Sequence, residues 1–216
     1  MATGYYIIKQ LPPDSSIFAS TFMPASGERV FFGSHSVHAA GNHAGIIMMI
    51  DSRSRHWNDK SDDIFNENAP LFGGGIKFAT KGVGPRDGKG FGDVVYAEYN
   101  RPDSDVKIIT GGRGGLRLEH LTGDSGAISS IIEHADNFIK NHNSGVHTYT
   151  YDGLPGRGFG RAANNFNSNS FAHGLLIASG VSIPDRTGAW VGGFAGWEYG
   201  PELYNLGSFD KKEVPR

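Results

Sequence analysis

The stretch Ala44-Gly-Ile-Ile-Met-Met-Ile50 constrains this 216-residue chain more than any other. It has no polar face, so a strand built from it must be covered on both sides. It is far shorter than the ~18–20 apolar residues of a membrane span. The sequence therefore predicts a strand over residues 43–50 at the centre of a sheet. Shorter strands are predicted at 4–9, 29–33, 76–80, 93–99, 106–110 and 146–151. The first is closed by Pro12-Pro13-Asp14, since proline cannot continue a ladder.

The period then changes. Ile128, Ile131, Ile132, Ala135, Phe138 and Ile139 form one helical stripe. Asp124 or Ser125 suits its start, and Asn143-Ser144-Gly145 its end. A second helix is predicted from Ser168 to Ser179, burying Phe171, Leu175 and Ala178 and stopping at Gly180. Residues 51–74 read as a polar loop, and glycine-rich loops follow at 81–92 and 153–160. No linker interrupts the chain, so the expectation is one α+β domain over residues 1–216.

Composition removes several classes of function. Lys plus Arg number 20 and Asp plus Glu 22, a net charge of −2 without the basic face of a nucleic-acid binder. Cysteine is absent, which excludes disulfides, thiolate zinc sites and a cysteine nucleophile. Glycine, at 32 residues, is about twice its ordinary share of ~7% but has no three-residue period, so collagen is excluded. The start, Met-Ala-Thr-Gly-Tyr-Tyr-Ile-Ile-Lys-Gln, lacks the basic and apolar segments of a signal peptide. Export would need a dedicated secretion apparatus or a carrier domain.

The segment Ala163 to Leu176 carries the strongest chemical signal. A polar Asn/Ser run passes abruptly into an amphipathic helix, placing Ser168 at its first turn. Backbone N–H groups and the positive end of the helix dipole lie there, which suits a nucleophile and an oxyanion hole. The same residues are also the commonest helix caps. A serine hydroxyl needs a base. Of nine histidines, His134, His142 and His173 fall at helical positions, His120 and His147 border turns, and His56 lies in a polar stretch. His43 stands at the mouth of the central strand and is the best-placed base.

Asn167-Ser168-Asn169-Ser170-Phe171 resembles the nucleophile motif of circularly permuted papain-like hydrolases such as the PPPDE peptidases, where Asn-Cys-Asn-x-Phe opens the nucleophile helix. Asn42-His43-Ala44-Gly45-Ile46 resembles their catalytic histidine strand, also seen in permuted NlpC-like and lecithin:retinol acyltransferase-like proteins. The order, histidine strand early and nucleophile helix late, also fits. The Asn-Ser-Asn-Ser-Phe form further resembles C-terminal domains of bacterial polymorphic and secretion-linked toxins. The resemblance spans two short segments.

What it implies is a permuted papain-like α+β fold in which an antiparallel sheet packs with the helix carrying the nucleophile. Ser168 would attack an amide or ester carbonyl and His43 would take its proton, without cofactor or metal. First-turn N–H groups, with Asn167 or Asn169, would hold the oxyanion. Peptide, peptidoglycan or another acyl group would be the substrate, and a toxin would have an immunity protein as partner. Serine replaces the family's cysteine at position 168, leaving three readings open: a serine-using branch, an engineered Cys-to-Ser form, or lost activity. A non-catalytic binding module of the same fold is the alternative from another class.

The third residue stays open at this level. In acyltransferase-like relatives it is a histidine a dozen residues after the first, which points to His56. If Asp51 to Ser54 form a hairpin turn, however, His56 pairs with Met49, roughly 20 Å from His43 at ~3.3 Å per residue. The same register puts Asp62 or Asp63 opposite His43, and Glu98 is a further candidate. Four other features are weaker. Gly123-Asp124-Ser125-Gly126 resembles a chymotrypsin-like nucleophile segment but reads as a helix cap. His35, His38 and His43 match no common zinc spacing and have no acidic residue beside them. The Gly82–Gly92 loop lacks the first glycine of a phosphate-binding loop. Trp190, Phe194, Trp197 and Tyr199 read as core or closing contacts, or as the lining of a carbohydrate or lipid groove.

Overall fold

The computed structural model describes residues 5–7, 23–37, 41–58, 64–65, 67–68, 75–84, 91–93, 99–100, 106, 117–121, 126–143, 150–152, 165–182 and 196–211. Its strands are β1 (Tyr5–Ile7), β2 (Glu28–Val37), β3 (Gly41–Asp51), β4 (Glu67–Asn68), β5 (Ile76–Lys81), β6 (Phe91–Asp93), β7 (Arg117–His120), β8 (Thr150–Asp152) and β9 (Asn165–Phe166). The helices are α1 (Ala127–Asn143), α2 (Ser168–Ala178) and α3 (Gly200–Asn205), the last preceded by a 3-10 turn at Trp197–Tyr199. The architecture is mixed α+β.

Six strands form one antiparallel sheet in the order β1-β7-β2-β3-β5-β4. The apolar run is central, as its composition demands: β3 is hydrogen-bonded to β2 on one side and β5 on the other. Strand alternation divides its residues between two faces. Ala44, Ile46, Met48 and Ile50 join Val30, Phe32 and Ala79 in the core beneath the helices. Ile47 and Met49, with Phe31 and Phe78 as cross-strand partners, are buried on the other face. A second, smaller sheet runs β6-β8-β9, and its β8–β9 pair is parallel.

Both predicted helices are present, with Ile132, Ile139 and Ala178 only partly buried. Ile128, Ile131, Ala135 and Phe138 of α1 are buried, and Lys140 and His142 in its last turn favour the negative end of the dipole. Gly126 precedes α1 at φ +116°, a conformation that suits glycine alone. Helix α2 runs over Ser168–Ala178 and ends at Gly180, whose φ is +68°. Phe138, Phe171 and Phe209 join the two helices and the C-terminal segment, with ring centroids 4.9 to 5.8 Å apart. At Gly174 an added Cβ would lie 2.8 Å from the Phe209 ring, so a glycine is needed for α2 to approach this segment.

Three strand expectations change. The hairpin from Asp51 to Ser54 does not form: Ile50 pairs with Glu28 and Lys77, and the residue opposite His43 is His35, not residue 62. The chain instead makes consecutive turns, Ser54 N–H to Asp51 O and Trp57 N–H to Ser54 O. Val106, expected to open a strand, has helical backbone. β7, which no strand pattern in the sequence marks, sits inside the main sheet between β1 and β2. Asp62, Asp63, Glu98, His38, Ser125 and Trp190 lie outside the described residues.

Candidate functional site

Two helices begin with a serine in or near the first turn, and their surroundings differ. At α2, Asn167 is the cap, in extended backbone at φ −134°. Its Oδ1 accepts from the N–H of Asn169 and of Ser170, both at 3.0 Å. Ser170 Oγ in turn accepts from Asn167 N–H at 2.8 Å. This reciprocal box pairs the N–H groups of Asn167, Asn169 and Ser170. An oxyanion hole needs donors aimed at empty space where charge will develop. Here the N–H groups of Asn169 and Ser170 are already committed. The expectation that they would hold an oxyanion therefore meets a competing acceptor inside the same motif.

Ser168 itself is buried. Helix α2 packs against β3, the strand that carries His43. Yet Phe171, Ala172, Leu175 and Leu176 pack with Ala44, Ile46, Met48 and Ile50. Alternation groups His43 with Gly45, Ile47 and Met49, the series on the opposite face. The structure therefore does not join Ser168 and His43 in a hydrogen bond. His43 lies across the β2–β3 ladder from His35, with ring centroids 5.2 Å apart.

The start of α1 is organised differently. Ser129 is the third residue of the helix, where backbone N–H groups still lack intrahelical acceptors. His56 Nε2 lies 2.9 Å from Ser129 Oγ, and the Arg55 guanidinium (Nη2) donates to the same oxygen. Arginine has donors only, so Ser129 Oγ accepts from Arg55, while the direction of its contact with His56 Nε2 follows the imidazole tautomer. With the proton on Nδ1, Nε2 accepts from the hydroxyl, the tautomer a general base requires. His56 is buried, its ring tilted against Phe65 at a centroid distance of 6.0 Å.

The segment presenting Arg55 and His56 is tied down at several points. Ser54 Oγ donates to Glu28 Oε1 at 2.9 Å and accepts from His56 N–H at 3.1 Å. Glu28 Oε1 also lies 4.0 Å from Arg55 Nε. At the head of the turn, Asp51 accepts from Arg53 N–H at 2.9 Å and from its Nε at 3.1 Å. The hydrogen bonds from the Arg53 side chain hold the Asp51 carboxyl below its ordinary pKa, against an opposing push from burial. Asp51 N–H reaches Gly27 O at 2.9 Å, and Gly27 adopts φ +67° where a Cβ would collide with Asp51 Oδ1.

In sequence His56 reads as a residue of a polar stretch, distant from His43 along the strand. Its partner comes from α1, 73 residues away, so no local spacing announces the pair. Other histidines serve packing: His173 Nδ1 donates to Trp197 O at 2.7 Å and stacks on that ring, and His134 Nδ1 donates to Phe209 O at 3.1 Å. Trp197 is fully buried against Phe32, so it closes the core. Among the described residues no group of three or more histidine or acidic side chains converges as a metal site. Among the same residues no helix is long and apolar enough to cross a membrane. Comparison with known protein families finds no family model that matches the chain, and neither curated proteins nor solved structures give a match.

Proposed function

We propose that this chain hydrolyses an amide or ester bond through a serine–histidine pair, and that the pair is Ser129 with His56. The observation that carries the reading is the 2.9 Å contact between a helix-start hydroxyl and a buried imidazole, with an arginine on the same oxygen. Nucleophile and base within hydrogen-bond reach is the arrangement that activates a serine. In the reaction Ser129 Oγ bonds to the carbonyl carbon as its proton passes to His56 Nε2. The negative charge that develops on the carbonyl oxygen is met by Arg55 and the first turn of α1. Collapse of the tetrahedral intermediate breaks the bond to the leaving group, which takes the proton from His56. Water repeats the sequence on the acyl-enzyme and restores Ser129.

A second reading keeps the permuted papain-like arrangement, with Ser168 as nucleophile and His43 as base. It is favoured by the packing of α2 against β3 and by their order along the chain. Peptidoglycan or a protein would then be the substrate of a delivered toxin, neutralised by an immunity protein. Hydrolysis of a panel of activated esters and peptides separates the two. Under the first reading Ser129→Ala abolishes turnover and Ser168→Ala retains it. The reverse pattern selects the second reading, and full activity in both variants removes serine catalysis at either position.

A further inference from the structure

Away from α1, two imidazoles face each other across adjacent strands. β2 and β3 pair without interruption from Glu28↔Ile50 to Val37↔Gly41, which sets His35 directly opposite His43. The ring centroids are 5.2 Å apart and the planes meet at 47°. We propose that His35 and His43 together bind a divalent transition metal ion, with Zn2+ as the ion that fits their spacing. This proposal does not depend on which serine is the nucleophile.

The argument is geometric. Zn–N bonds are about 2.0–2.1 Å, and an imidazole centroid lies about 1.1 Å beyond its nitrogen, so a tetrahedral angle puts two bound rings about 5.2 Å apart. The observed centroid separation of 5.2 Å is compatible with that figure, and rotation about the side-chain bonds sets where the nitrogens point. The ladder holds the two Cβ atoms about 4.5–5.5 Å apart, so metal capture needs side-chain rotation only and no backbone movement.

The neighbouring pair on the same face is Gly33 opposite Gly45, which removes side chains from the adjoining row. Ile47 leans into part of that space: a Cβ on Gly33 would lie 2.5 Å from Ile47 Cδ1. The pair is thus bordered by an apolar floor, while both imidazoles remain half-buried rather than sealed. Imidazole is a preferred ligand of zinc and its neighbours. Among the described residues no third histidine or acidic group converges on the pair.

Calorimetric titration of the whole chain with zinc chloride in a non-chelating buffer tests this. The expected result is one Zn2+ bound per chain in the micromolar range, with His35→Ala and His43→Ala each weakening binding at least about tenfold. A second measurement needs no variant. Saturating Zn2+ protects His35 and His43 from carbethoxylation by diethylpyrocarbonate, read by peptide mass spectrometry, while surface histidines continue to react. Absence of binding, affinity unchanged in both variants, or undiminished modification of the two histidines overturns the proposal.

Discussion

The starts of α1 and α2 have much the same raw material, polar residues running into an apolar stripe, and end in different chemical states. At α2 the cap residue Asn167 takes the N–H groups of Asn169 and Ser170, and Ser170 closes the box in return. At α1 the residue before the helix is Gly126, with no side chain to offer, and an added Cβ there would lie 3.7 Å from Arg55 Nη2. Polar groups reach Ser129 from outside the helix instead: His56 and Arg55, from the turns after β3. One helix start is capped largely by its own residues, and the other is reached by side chains of another element. Motif density is highest at α2, but hydrogen-bond accounting favours α1.

The comparison is broken most sharply at the base. His56→Ala should lower kcat/KM at least about a thousandfold, as loss of a serine's base partner generally does. A smaller loss would place the chemistry elsewhere. Phe138→Ala removes a buried ring shared by both helices and should cost about 3–5 kcal/mol in denaturant unfolding, with both helix starts failing together. Arg55→Ala should reduce kcat by about 10²–10³ if it meets the oxyanion, with little change in KM.

Asn167→Ala addresses the other helix. It should destabilise the fold by about 1 kcal/mol, the usual value of a lost cap, and leave acyl hydrolysis intact. The smallest effect concerns Asp51, whose folded pKa is lowered by Arg53. Its contribution to stability is present above the unfolded carboxylate pKa of 3.8 and is lost as pH falls through the lower folded value. Acid unfolding of the wild type should therefore be steeper below that pH than in Asp51→Asn, as followed by circular dichroism.

What could be read from the sequence was whatever a single element dictates. The run 44–50 had to be buried on both faces, and the stripe 128–138 had to be a helix, because each pattern has one packing solution. Short elements escaped for the opposite reason. In β7 Glu119 is buried, a charge in a four-residue strand that no hydrophobic pattern marks. Likewise Lys81 is buried with its ammonium 4.4 Å over the Tyr99 ring, a solution visible only once β5 and residue 99 are adjacent. Ser168 was found because its local context is strong, and His43 because its strand is. Whether two strands of reasoning meet depends on which face each side chain takes, and a one-residue change of parity sends His43 to His35. His56 and Ser129 each looked ordinary alone, since their meaning lies in the contact.

Reaction of the whole chain with a fluorophosphonate, followed by mass-spectrometric mapping of the adduct, tests the central claim most directly. A base-activated serine is phosphonylated in preference to ordinary hydroxyls. The account predicts a single adduct on Ser129 that disappears in His56→Ala. An adduct on Ser168, or no adduct on any serine, would contradict it.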